Sequence, residues 1–226
     1  MQLDQEQSNQ SGLGFFKNNI SLIKKIILVF FLSAIIIAGY RVNSKINSNK
    51  YSEMLHQSMI HEQLSELDKS EELLKKIYES SAPSEIKSLA GIRYASYLVR
   101  SNKLSQAGEI YSQINKCFGC DRYIKDFSGL LAVKTWLSDS EEVKKSDLPK
   151  RIEAIESSSK ILKYQITEQR GLLALKNNNL EVAYKIFESI INSEASQNLK
   201  YKAQDMMLMI NEKGYQPKST ETKALK

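Results

Sequence analysis

The chain has 226 residues and a formal net charge of +6, enough for one domain once a membrane segment is set aside. Acidic residues are interspersed among the lysines and no long basic block with aromatic neighbours occurs, which argues against nucleic-acid binding. Nine glycines and three prolines are few for a sheet protein with many tight turns. With long runs of Glu, Lys, Leu, Ala and Gln they predict an all-α body.

Residues 1–19 are polar and read as a disordered tail. The stretch 26–40, IILVFFLSAIIIAGY, carries no charge. Counted from Ile20 it gives about 31 Å of helix against a hydrocarbon core of about 30 Å, with the stems of Lys24 and Lys25 reaching the headgroups. No A-x-A cleavage pattern follows and no cysteine lies nearby for lipid attachment, so 20–41 is expected to be an uncleaved transmembrane anchor. Lys17, Lys24 and Lys25 precede the span while Arg41, Lys45 and Lys50 follow it, so charge leaves the orientation undecided.

The domain expected at 42–215 is a series of helices. Over 42–67, Tyr51, Leu55, Met59, Ile60, Leu64 and Leu67 keep a roughly helical spacing, and a second helix at 69–79 carries Leu73, Leu74, Ile77 and Tyr78. Pro83 opens the next, at 83–101, with Ile86, Leu89, Ala90, Tyr94, Tyr97 and Leu98 as its apolar stripe. After a break at Asn102-Lys103 come a helix at 104–114, the Cys117-Phe118-Gly119-Cys120 turn, and an apolar helix with Tyr123, Ile124, Phe127, Leu130, Leu131 and Leu137. A polar loop is expected at 138–147 and a weaker helix at 148–162. A helix at 166–176 leads through Asn177-Asn178-Asn179 into one carrying Ala183, Tyr184, Phe187 and Ile190. A last helix at 195–211 is stopped by Gly214, and 216–226 reads as a disordered tail.

These helices come in pairs. Aligning Leu73 and Ile77 with Ala107 and Tyr111 gives a period of 107 − 73 = 34, the tetratricopeptide repeat length. Ala183 and Phe187 repeat the pattern 183 − 107 = 76 residues on, two such periods plus eight, which leaves room for one irregular pair. Small-then-aromatic at this spacing lets paired helices approach while the aromatic fills the gap to the next pair, and Gly171 serves the same approach from its partner helix. The fold class expected is a transmembrane helix followed by a TPR-like α-solenoid of about four helix pairs plus a capping helix.

A span ending in Gly39-Tyr40-Arg41, a degenerate helical-repeat domain and a closing GLLALKNNNLEVAYKIFESII resemble the YfgM-like family of ancillary SecYEG translocon subunits. That resemblance implies a bacterial inner-membrane protein with its N-terminus cytoplasmic and its repeats in the periplasm. It also implies partners in the Sec translocon and in a periplasmic chaperone of the peptidyl-prolyl isomerase type. In related repeats the first helix of each pair reads the partner. Carried onto this chain, the matching positions are Ser96 and Arg100 in one copy, and Gln165, Glu168 and Lys176 in another.

Cys117 and Cys120 are the only cysteines. A disulfide pinning the turn, an idle reduced pair and redox work remain open, and no strand precedes Cys117 as a thioredoxin-type site would require. A zinc site would need two more ligands, and His56 and His61, five apart, point in different directions from one helix. Both histidines are expected at the surface. Trp136, the tyrosines and Met206, Met207 and Met209 read as packing residues. With no phosphate loop, nucleophile elbow or metal-ligand motif, the expectation is a non-enzymatic protein-interaction module without cofactor. The alternatives are an envelope thiol–disulfide redox protein and a cytoplasm-facing adaptor.

Overall fold

The structure, a computed structural model, describes residues 20–216, without the side chains of 20–23, 26–27, 34 and 36–44. The tails expected at 1–19 and 216–226 lie outside these residues, Gln216 excepted. Among the described residues there is no strand. The helices are α1 (Ile20–Gln63), α2 (Leu67–Glu79), α3 (Ser84–Arg100), α4 (Leu104–Asn115), α5 (Arg122–Ser138), α6 (Ser140–Val143), α7 (Leu148–Ser158), α8 (Lys163–Lys176), α9 (Leu180–Ile191) and α10 (Gln197–Glu212). The chain divides into two units, residues 1–50 and 51–226, and α1 contains the boundary.

In the first unit, Leu28, Val29, Phe30, Phe31, Leu32 and Ile35 are all exposed. Five of these are consecutive, so the apolar surface runs right round the helix rather than along one stripe. The Ser33 hydroxyl donates to the Phe30 carbonyl at 2.8 Å, which satisfies that polar group within the helix. Among the described residues no helix is long and apolar enough to cross a membrane, and part of the anchor expected at 20–41 lies outside the described side chains.

In the second unit, α3, α5, α8 and α10 each touch the next, while α4, α7 and α9 pack between successive members of that layer and α2 packs on α3. The repetition is clearest where the helices of this layer end. Ser65, Asn102, Asn178 and Gly214, following α1, α3, α8 and α10, all have positive φ, at 61°, 58°, 55° and 94°. At each, the next residue's N–H donates to the carbonyl five positions back: Glu66 to His61, Lys103 to Leu98, Asn179 to Ala174 and Tyr215 to Ile210. This is the Schellman closure, which needs a left-handed residue and so selects Gly or Asn, more rarely Ser. The spacings are 102 − 65 = 37, 178 − 102 = 76 and 214 − 178 = 36, with the middle one spanning two hairpins.

A second motif recurs after α2 and α9. The Ser80 hydroxyl donates to the Ile77 carbonyl and accepts from the Ala82 N–H, and Ser193 does the same with Ile190 and Ala195. The true repeat is therefore about 37 residues rather than 34. Leu73 is not the counterpart of Ala107. Counting back 37 gives Ser70, fully buried with its hydroxyl accepting from the Tyr97 hydroxyl at 3.1 Å, and Leu74 stands where Tyr111 stands one repeat later. The first hairpin keeps the small residue, as Ser in place of Ala.

Three apolar clusters fill the unit. The first lies between α2 and α3 with Leu74, Ile77 and Ala90, the second between α3 and α8 around Trp136, and the third between α8 and α10 around Phe187. Phe187 fills its own hairpin rather than the gap beyond it: a Cβ on Gly171 would come 2.8 Å from its ring. Gly171→Leu is accordingly expected to destabilise by about 3 kcal/mol, because the buried ring cannot yield. A urea titration followed by circular dichroism, which reads the helices of every hairpin, measures this.

Three expectations are corrected. The inner face of α1 is Tyr51, Met54, Leu55 and the fully buried Ser58, whereas Met59, Ile60, Leu64 and Leu67 are exposed. A polar residue thus marks the tightest contact, its hydroxyl donating to the Leu55 carbonyl. The loop at 138–147 contains α6 and buries Glu142, which accepts from the Ser105 hydroxyl at 3.0 Å and pairs with Lys145 and Arg151. Helix α7 stops at Ser158, four residues early, because the buried Asp126 carboxylate accepts the N–H groups of Lys160 and Ile161 at 2.8 and 2.7 Å.

Candidate functional site

Each of α3, α5 and α8 is covered on one side by second helices, which leaves a less buried stripe on each. On α3 that stripe carries Leu89, Arg93, Ser96, Val99 and Arg100, and on α8 it carries Gln165, Glu168, Leu172 and Leu175. The helix between them contributes Tyr123 and Phe127, 56% and 37% exposed. Their rings lie parallel, 6.3 Å apart at 7°. Full burial of such a ring is worth about 1.5–3 kcal/mol, and the exposed parts of Tyr123 and Phe127 forgo a corresponding share of it.

The five positions carried over from the family therefore lie on two helices of one layer, on either side of the aromatic pair. Several are engaged within the chain. The Ser96 hydroxyl donates to the Arg93 carbonyl at 2.6 Å, and Glu168 accepts from the Gln169 amide at 3.3 Å. The Arg100 guanidinium lies 5.4 Å from the centre of the Tyr97 ring. Lys176 donates to the Leu137 carbonyl in the last turn of α5, which makes it a helix-capping cation as well as a surface one. Arg93 is paired with Glu62.

Sequence reasoning missed Tyr123 and Phe127 by reading them as core. The signal was present in Lys134: positions 123, 127, 130 and 134 form one stripe of α5, and its charged last member is exposed. The core face instead runs through Asp126, Gly129, Val133 and Trp136. Exposed Arg100, Lys134 and Lys176 also place a cation near the C-terminal end of each of the three helices, so that rim is basic.

A groove of about 470 Å³ opens between α4 and α7, with Trp136, Ser112, Lys116, Lys150 and Arg151 among its lining. Its central cation is committed: the Arg151 guanidinium lies 3.9 Å from the Trp136 ring centre and pairs with both Glu109 and Glu142. Burial pushes the Glu142 carboxyl upward, but hydrogen bonds from Lys145 and Ser105 and the charges of Lys145 and Arg151 outweigh it and hold the pKa below its ordinary value. An ionised, fully paired carboxylate is a structural group rather than an acid or base poised to transfer a proton.

Cys117 and Cys120 form a disulfide in the turn between α4 and α5. His56 is exposed, and His61 is half-buried with its Nδ1 2.6 Å from Glu66. Among the described residues no cluster of three or more His, Cys, Asp or Glu is placed to hold a metal ion. No protein-family profile, curated protein or solved structure matches the chain.

Proposed function

We propose that the chain is a membrane-anchored protein-interaction module, a TPR-like α-solenoid of four hairpins and a capping helix that grips apolar polypeptide segments beside the bilayer. The observation that carries this reading is the exposed Tyr123–Phe127 stack on α5, with Leu89 and Val99 exposed on the neighbouring α3. Such a face suits an apolar segment, and the basic rim of Arg100, Lys134 and Lys176 favours one with an acidic flank. Anchorage by 20–41 is supported by the apolar surface all round α1 at 28–32, which water does not tolerate over that extent. A tether raises the local concentration of a membrane-bound partner, so weak contacts suffice.

The family resemblance makes that setting the bacterial inner membrane, with the repeats in the periplasm and the Sec translocon and an isomerase-type chaperone as partners. Crosslinking in the native membrane tests this reading, and recovery of soluble cytoplasmic proteins alone would overturn it. A reporter fused after Lys226 that is active only in the cytoplasm would reverse the orientation. Replacing both Tyr123 and Phe127 by Glu is expected to cut the crosslinked yield about tenfold, the loss of roughly 1.4 kcal/mol of binding. Unfolding free energy should fall by only about 1–2 kcal/mol, the share of each ring that is already buried, which leaves the domain folded.

A further inference from the structure

We propose that the Cys117–Cys120 disulfide is a thiol–disulfide exchange site for dithiols in extended polypeptides, with Cys117 the attacked sulfur and Cys120 the leaving thiolate. This goes beyond the gripping face on α3, α5 and α8 and rests on separate residues. Three features of the turn support it.

The first is asymmetry around the two sulfurs. The hydroxyl of buried Ser88 lies 3.0 Å from Cys120 Sγ but 3.9 Å from Cys117 Sγ. A thiolate on Cys120 would thus accept from the nearer Ser88 hydroxyl, which stabilises it as the leaving group. The second is access: a hollow of about 210 Å³ has Tyr78, Lys87, Ser88, Ile114 and Cys117, but not Cys120, in its lining.

The third feature is Phe118, held between the two cysteines and 96% exposed, beside Gly119 at φ 79°. A turn closed by its own covalent bond offers a bare aromatic ring next to the reactive sulfurs, where an apolar residue neighbouring the substrate cysteine would meet it.

The exchange balances with a dithiol as the reductant. A substrate thiolate attacks Cys117 Sγ, the Cys117–Cys120 bond breaks, and the electron pair leaves on Cys120. The substrate's second thiolate then attacks the substrate sulfur of the mixed disulfide and releases the Cys117 thiolate. The substrate has lost two electrons and become a disulfide, and the protein pair has gained them as two thiols. A partner disulfide restores the pair by the reverse steps.

The test uses the full chain, oxidised, and a reduced synthetic peptide in which leucine flanks a pair of cysteines. Peptide oxidation should be stoichiometric with appearance of the two protein thiols. Phe118→Ser should slow the peptide about tenfold, one lost apolar contact, while leaving reduction by dithiothreitol within twofold. Ser88→Ala should raise the Cys120 thiol pKa, read at 240 nm in a Cys117→Ser background, and slow exchange about threefold for each unit of that rise.

Presented with the oxidised peptide, Cys120→Ser should accumulate a mixed disulfide and Cys117→Ser should not. Equal trapping by both single-cysteine variants would overturn the assignment of roles. Peptide rates unaffected by Phe118→Ser, or no exchange at all, would overturn the site. Crosslinking through Tyr123 and Phe127 is untouched by any of these changes.

Discussion

Trp136→Ala is expected to remove about 3–5 kcal/mol of unfolding free energy, the cost of emptying a fully buried aromatic site. The indole is 1% exposed, is crowded by Gly108 on α4, and lies under the Arg151 guanidinium. Its loss leaves the cation that joins Glu109 to Glu142 without its apolar support, so the segment around α6 should loosen as well. The indole N–H has no acceptor among the described residues, which makes Trp136→Phe a sharp control. It removes an unpaired donor along with some volume and should cost far less than the alanine change. Because Trp136 is the only tryptophan, both variants are compared by circular dichroism in urea. Equal losses for Phe and Ala would mean that the indole is held by something other than packing.

Asp126→Ala is expected to cost about 3 kcal/mol, since the N–H groups of Lys160 and Ile161 lose a charged acceptor that is itself 1% exposed. Burial pushes the Asp126 carboxyl upward, yet the backbone N–H groups of Ile161, Lys160 and Leu162 more than compensate and hold its pKa below the ordinary value. A depressed folded-state pKa contributes stability that is present above the unfolded value of about 3.9 and lost as pH falls through the folded one. The wild-type chain should therefore lose stability on acidification below about pH 4 with a component that Asp126→Asn lacks. Trp136 fluorescence in urea at a series of pH values reads both curves. Parallel curves for the two proteins would show that the carboxylate is not what joins α5 to the chain before α8.

Much of the helical body could be read from residue order because its punctuation is local chemistry. Asn102, Asn178 and Gly214 stop helices by tolerating positive φ, and Pro83 sets the start of α3. Register was harder to read. In the first hairpin the close-approach position is Ser70 and the inner contact of α1 is Ser58. Buried hydroxyls that bond a carbonyl of their own helix or a neighbouring tyrosine look polar in the sequence and behave as small apolar residues in the core.

The early stop of α7 was hidden for a different reason. It depends on Asp126, more than thirty residues away, and no local pattern in 148–162 announces it. The aromatic pair on α5 was misread because Tyr and Phe are most often buried. Only the position of Lys134 shows that their stripe faces outward.

The three apolar clusters meet on shared helices: Tyr94 of α3 touches the first two, while adjacent Leu173 and Ala174 of α8 belong to the second and third. Such a chain wears like a string of overlapping shingles. A lesion in the last hairpin leaves the Trp136 cluster whole, and one in the first leaves the Phe187 cluster whole, so a terminal blemish shortens the array without erasing it. The segment after α5 is the exception, because Glu142 and Arg151 there bind three helices at once and a break at that point would part the two ends.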